Sequence, residues 1–95
     1  MRIVWPRRAV RHLTALRDYI ATDLEKSARD IAARILGAVE RLAIQPAMGR
    51  PGRLPGTREL VIPGTPFFIP YRVREGRLEL IAVIHGRRNW PAVKK

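Results

Sequence analysis

A chain of 95 residues with 19 lysines and arginines against eight acids carries a net charge of +11, at a hydrophobic fraction of 46%. That size allows a single domain, residues 1–95, with one modest core, and the apolar content excludes a disordered basic tail. Cysteine is missing, which excludes disulfides and thiolate metal sites, and the longest apolar run, Leu80–Ile84, is far short of a membrane span.

The opening MRIVWPRR has neither an apolar signal region nor a cleavage pattern, so a soluble, cytoplasmic protein with no membrane partner is expected. Lys26, Lys94 and Lys95 are the only lysines; every other basic residue is arginine. Arginine's planar fork fits phosphate and carboxylate, so the partner is a nucleic acid or ribonucleoprotein, or an acidic protein segment.

Arg2–Trp5 is β-branched and aromatic enough for a short strand, which Pro6 ends. From Arg7 the period becomes helical, with Val10, Leu13, Leu16 and Ile20 on one stripe. Asp23–Lys26 is a polar break, and Ser27 with Asp30 reads as a capping-box start for a second helix. Its inward residues are Ile31, Ala32, Ile35, Ala38, Val39 and Leu42, with Arg29, Arg34, Glu40 and Arg41 outward. An αα-hairpin from Arg7 to about Ile44 follows.

Pro46–Pro55, dense in proline and glycine, reads as a loop carrying Arg50 and Arg53. Arg58–Pro63 is a strand, and Gly64–Pro66 turns into the next. Phe67–Val73 and Leu78–Ile84 alternate around Glu75-Gly76, the signature of a β-hairpin. Pro70 inside the first of these marks an edge strand or a bulge. With helices grouped and strands grouped, the fold class is α+β, β-α-α-β-β-β: a small antiparallel sheet packed on the αα-hairpin.

A two-residue turn at Glu75-Gly76 pairs Arg74 with Arg77, Val73 with Leu78, Arg72 with Glu79 and Tyr71 with Leu80. In that register Phe67, Ile69, Tyr71, Val73, Leu78, Leu80, Ala82 and Ile84 face the helices. The other face holds Phe68, Arg72, Arg74, Arg77, Glu79, Ile81, Val83 and His85, with Phe68, Ile81 and Val83 as an exposed apolar patch. Trp5 is expected in the core and the lone His12 on the surface.

The order of elements, the GRPGR of Gly49–Arg53, the Tyr-Arg-Val at 71–73 and above all Val-Ile-His-Gly-Arg-Arg at 83–88 resemble the RelE/ParE family, small toxins of type II toxin-antitoxin modules. The resemblance covers essentially the whole chain. It implies a cognate acidic antitoxin as partner, and one of two targets. RelE-like members cut mRNA on the ribosome; ParE-like members act on DNA gyrase. The His-Gly-x-Arg ending is the more ParE-like, and a growth-arresting gyrase inhibitor is the expected function.

Cleavage of RNA without metal needs a base for the 2′-hydroxyl, an acid for the leaving oxygen and cations on the phosphate. If the chain is a nuclease, His85, Arg72 and Arg88 are the candidate catalytic residues, with Glu79 or Tyr71 as further proton carriers. Two features weaken that set. His85 lies about 20 Å along the sheet from Arg72 at ordinary strand rise, and the tail after Arg88 lacks the tyrosine typical of RelE-like enzymes. Acids are too scattered for a metal pair, so no metal and no small-molecule cofactor is expected. Arg50, Arg53, Phe68, Arg74, Arg77, Arg87, Arg88 and Trp90 are the candidate target- or antitoxin-binding residues. Arg87–Trp90 follows the last strand, so truncation after Gly86 should abolish toxicity in a growth assay while circular dichroism still reports a fold.

Overall fold

The computed structural model describes residues 1–21 and 25–86, with side chains at 1–16 and 29–86. Strand β1 (Arg2–Val4) ends before Pro6, whose carbonyl accepts the Val10 N–H at 3.1 Å and so opens helix α1 (Arg7–Ala21). Helix α2 is Glu25–Ile44 and completes the expected αα-hairpin. It begins ahead of Ser27, so Ser27 lies inside the helix rather than capping it. Glu25 and Lys26 are good helix formers by type, which favours the earlier start.

On α2 the inward residues follow the spacing: Ile35, Ala38, Val39 and Leu42 are buried. On α1 the contact face is turned by one residue. Ala9 is fully buried while Val10 is 46% exposed, and Leu13 and Leu16 pack against the core. The stripe is therefore Ala9, His12, Leu13 and Leu16, the i, i+3, i+4, i+7 set. Trp5 packs on the same core, as expected.

The remaining strands are β2 (Arg50–Pro51), β3 (Arg58–Val61), β4 (Phe67–Arg74), β5 (Arg77–Leu80) and β6 (Ile84–His85). They form one sheet in the order β1-β5-β4-β3-β2, with β6 also on β4. The sheet is mixed rather than wholly antiparallel, because β1 runs parallel to β5. The helical hairpin between them in sequence supplies the long crossover a parallel pair needs. The expected 46–55 loop is partly regular: a 3₁₀ turn, Pro46–Met48, leads into β2, which pairs with β3 at the far edge.

At the hairpin the expected register holds for all four pairs, Tyr71 with Leu80 through Arg74 with Arg77. Glu75 and Gly76 both have positive φ, 52° and 71°, which is the type I′ turn that matches strand twist. Gly76→Ala should therefore cost about 1–2 kcal/mol, read as a lower denaturation midpoint.

Beyond Leu80 the register shifts by one residue. The Ile81 N–H still donates to the Pro70 carbonyl at 2.8 Å, but Pro70 has no N–H to return, so the ladder stops there. Pairing resumes with Phe68 opposite Ile84 and Phe67 opposite His85, where an unbroken register gives Phe68–Val83 and Phe67–Ile84. An extra residue in 81–83 is thus accommodated as a bulge, and everything after it changes face. Val83 joins Ile69, Tyr71, Leu78 and Leu80 in the helix-side core, whereas Ala82 and Ile84 pack with Phe68 on the other side. Pro70 itself lies in β4, flanked on both sides, so it marks a bulge and not an edge.

Tyr71 ties this core to the 3₁₀ turn. Fully buried, it donates from its hydroxyl to the Pro46 carbonyl at 2.6 Å and accepts the Gly49 N–H at 2.9 Å. Burial raises its pKa, against the opposing pull of the Gly49 bond and the Arg58 charge. A folded-state pKa above the unfolded one gives stability that is complete below about pH 10 and lost as pH rises further. Melting temperature should fall with that onset, and Tyr71→Phe should remove this alkaline dependence while lowering stability near neutrality by about 1–3 kcal/mol.

Candidate functional site

The sheet face turned away from the helices carries two arginine groups. The first is built around Glu59, which is only 2% exposed. Its Oε1 takes Arg50 Nη2 at 3.1 Å; its Oε2 accepts the Arg53 backbone N–H at 3.1 Å and lies 3.6 Å from Arg53 Nε. The Arg50 and Arg53 guanidiniums stand 5.9 and 5.1 Å from the Phe68 ring centre. Leu54 packs onto Phe68, Ala82 and Ile84, and Gly52 N–H to Thr57 O, 2.8 Å, closes the loop that carries it.

The loop and the bulge together correct the expectation of an open apolar patch: Phe68 is 3% exposed beneath the loop, Val83 is 7% exposed and turned to the helix side, and Ile81 is partly buried. Arg50 and Arg53 present cations over a covered ring instead, with their side chains still about half exposed. Glu59 is the residue that sequence reasoning missed. Its signal was weak but present: a lone acid in Arg-Glu-Leu-Val, a few residues after two loop arginines.

The second group sits at the hairpin end. Arg72 Nε bonds Glu79 Oε1 at 2.8 Å, and Arg77 Nη2 meets Glu75 Oε2 at 2.9 Å. The bond from Arg72 holds the Glu79 carboxyl below its ordinary pKa, with the charges of Arg72, Arg74 and Arg77 adding to it and partial desolvation opposing. A depressed carboxyl contributes stability above its unfolded pKa and loses it as pH falls through the folded one. Arg74 is exposed on the same face.

His85 does not share that face. Opposite Phe67 after the bulge, it packs edge-on against that ring, centroids 5.4 Å apart at 80°. Together they line a groove of about 620 Å³ with His12, Ala15, Leu16 and Val83. Arg72 follows the alternation of Phe68 and Pro70 and points to the other side of the sheet. The chain thus brings Arg72, Arg74 and Arg77 together but separates them from His85.

His12 is not the surface residue its solitude suggested. The bulge leaves the Val83 N–H without a strand partner, and His12 Nδ1 accepts it at 3.2 Å. An accepting Nδ1 carries no proton, so the ring is held as its Nε2–H tautomer. His12→Ala should leave that N–H buried and unmet, lowering stability by about 1–3 kcal/mol in chemical denaturation. The other suggested proton carriers are also committed, Tyr71 to backbone partners inside the core and Glu79 to Arg72. Arg87, Arg88 and Trp90 lie outside the described residues. Among the described residues no three His, Asp or Glu side chains gather as a metal site.

An αα-hairpin on one face of a small mixed sheet, with an arginine loop folded over the other, is a RelE/ParE-like α+β fold. The sequence model of the family described as the ParE toxin of the type II toxin-antitoxin system, parDE, matches residues 3–90. The chain is 45% identical to Y4kP of Sinorhizobium fredii over 92 residues, 97% of this chain and 95% of that one. It is 34% identical to toxin RelE2 of Caulobacter vibrioides over 86 residues, 90% and 96% of the two chains. A solved structure of the chromosomal ParDE system from P. aeruginosa superposes with a TM-score of 0.81 at 26% identity, covering 90% of this chain and 95% of that one. The protein belongs to the ParE toxin family of type II toxin-antitoxin systems, and that membership implies an antitoxin partner.

Proposed function

We propose that this toxin arrests growth in the cytoplasm by inhibiting DNA gyrase, and that a cognate acidic antitoxin neutralises it. The observation that carries the reading is the separation of His85 from Arg72 by the thickness of the sheet. A metal-free ribonuclease needs its proton carrier and its phosphate cations around one phosphodiester. Inhibition by binding has no such requirement. Arg50, Arg53, Arg74 and Arg77 are exposed or half exposed on one face and are the contacts we assign to gyrase or antitoxin, with binding energy spread over them.

The test is a supercoiling assay with purified gyrase and relaxed plasmid. Added toxin should block supercoiling, and prior addition of the antitoxin should restore it. The second reading, a ribosome-dependent mRNA endonuclease, draws on the 34% identity to toxin RelE2. Unimpaired supercoiling together with mRNA cleavage on translating ribosomes, lost on His85→Ala with the fold intact, would replace the first reading with the second.

A further inference from the structure

Three arginines stand in one row across three neighbouring strands. Arg2 of β1 is the register partner of Arg77 of β5, and Arg77 is the partner of Arg74 of β4. Partners in register share a face, so all three side chains leave the sheet on the side away from the helices. The register of β1 on β5 brings Arg2 there. Like charges directly opposite one another destabilise a sheet. Arg77 has Glu75 at 2.9 Å as counter-charge, and that carboxylate is 74% exposed. Arg2 and Arg74 are exposed and make no ion pair among the described residues.

We propose that the Arg2–Arg77–Arg74 row is a binding site for the phosphodiester backbone of a nucleic acid. Two strand spacings make the row about 10 Å long, and a nucleic-acid strand carries one phosphate per about 3.4 Å of axis, so the row spans about three phosphates. Guanidinium forks are the side chains that grip phosphate oxygens in two-point contacts. A protein partner wants an apolar centre with charge at the rim. This row has none: on its face it is followed by the Arg72–Glu79 pair, and the apolar cluster of that face, around Phe68, is buried beneath the 52–57 loop. Arg74 and Arg77 stand at the charged rim of the protein contact proposed above, so the two kinds of partner would compete for them; the site does not depend on the gyrase reading, and its test does not involve gyrase.

Binding of the free toxin to a fluorescent mixed-sequence DNA duplex and to a single-stranded RNA of the same sequence is measured by anisotropy across about 50–200 mM salt. Arg2→Gln, Arg74→Gln and Arg77→Gln together should reduce the log–log salt slope by about 2.7 on duplex DNA or about 2.1 on the RNA, whichever the toxin prefers. A charge-matched set on the helices, Arg11→Gln, Arg29→Gln and Arg41→Gln, should leave the slope within about 0.5 of wild type. Single Arg74→Gln, with a slope loss of about 0.9, serves if the triple variant does not fold. Equal losses in the two triple variants would mean diffuse charge only and overturn the site. So would a row variant that loses affinity for a labelled polyglutamate peptide while its nucleic-acid slope is unchanged.

Discussion

Glu59→Ala should be among the most damaging single substitutions in this chain. It removes the acceptor for the Arg53 backbone N–H and the counter-charge of two arginines at once, from a residue only 2% exposed. Breaking a fully buried pair costs about 3–5 kcal/mol. The arginine side chains here are 52% and 44% exposed, so water compensates part of that. About 2–3 kcal/mol is expected, a fall in melting temperature of roughly 10–20 °C for a domain of this size. Glu59→Gln keeps an acceptor for the N–H and should lose about 1 kcal/mol. A drop of less than about 3 °C for the alanine variant would show that the loop over Phe68 holds itself without the acid.

Gly49→Ala should be comparably severe for a different reason. The backbone there is ordinary extended chain, φ −74° and ψ 154°, so a side chain meets no torsional objection. The obstacle is Tyr71: an added Cβ would stand 2.5 Å from its hydroxyl oxygen, 2.6 Å from Cε1 and 2.9 Å from Cζ. A fully buried tyrosine cannot retreat. Overpacking and disturbance of the Gly49–Tyr71 hydrogen bond together should cost about 3 kcal/mol. Gly37, in the middle of α2, is the contrast. Outside the helix's own backbone, nothing among the described residues but the tip of Arg41 lies near its missing Cβ, at 3.6 Å, and alanine there should stabilise by about 0.5–1 kcal/mol. Thermal melts of the two variants should move in opposite directions, and a stable Gly49→Ala would mean that Tyr71 is less fixed than its two bonds indicate.

Much of this molecule could be read from residue spacing. The α2 face, the hairpin and its four-pair register follow from period and turn chemistry, since each is a local property of contiguous residues. What escaped has one physical source, contacts between segments far apart in sequence. Nothing near Arg2 announces that β1 will lie parallel to β5, because the crossover that permits it is the helical hairpin. His12 looked isolated because its partner is a backbone N–H 71 positions later. Little in the sequence singles out Glu59, because the loop it gathers is recognisable only as proline and glycine. The family resemblance of Val83–Arg88 was legible, yet the face on which His85 stands was not, since it depends on the bulge.

That bulge also makes the chemistry of the C-terminal strand a question of odd and even. Between Leu80 and Ile84 the chain spends three residues where the ladder on β4 has room for two. Removing Ala82 alone would close the difference and leave an unbroken ladder, with Val83 opposite Ile69, Ile84 opposite Phe68 and His85 opposite Phe67, each on the side it already occupies. A chain that kept the same residues in an unbroken ladder would instead set His85 opposite Pro66, on the side of Arg72, so alignment of the histidine alone does not establish a shared activity.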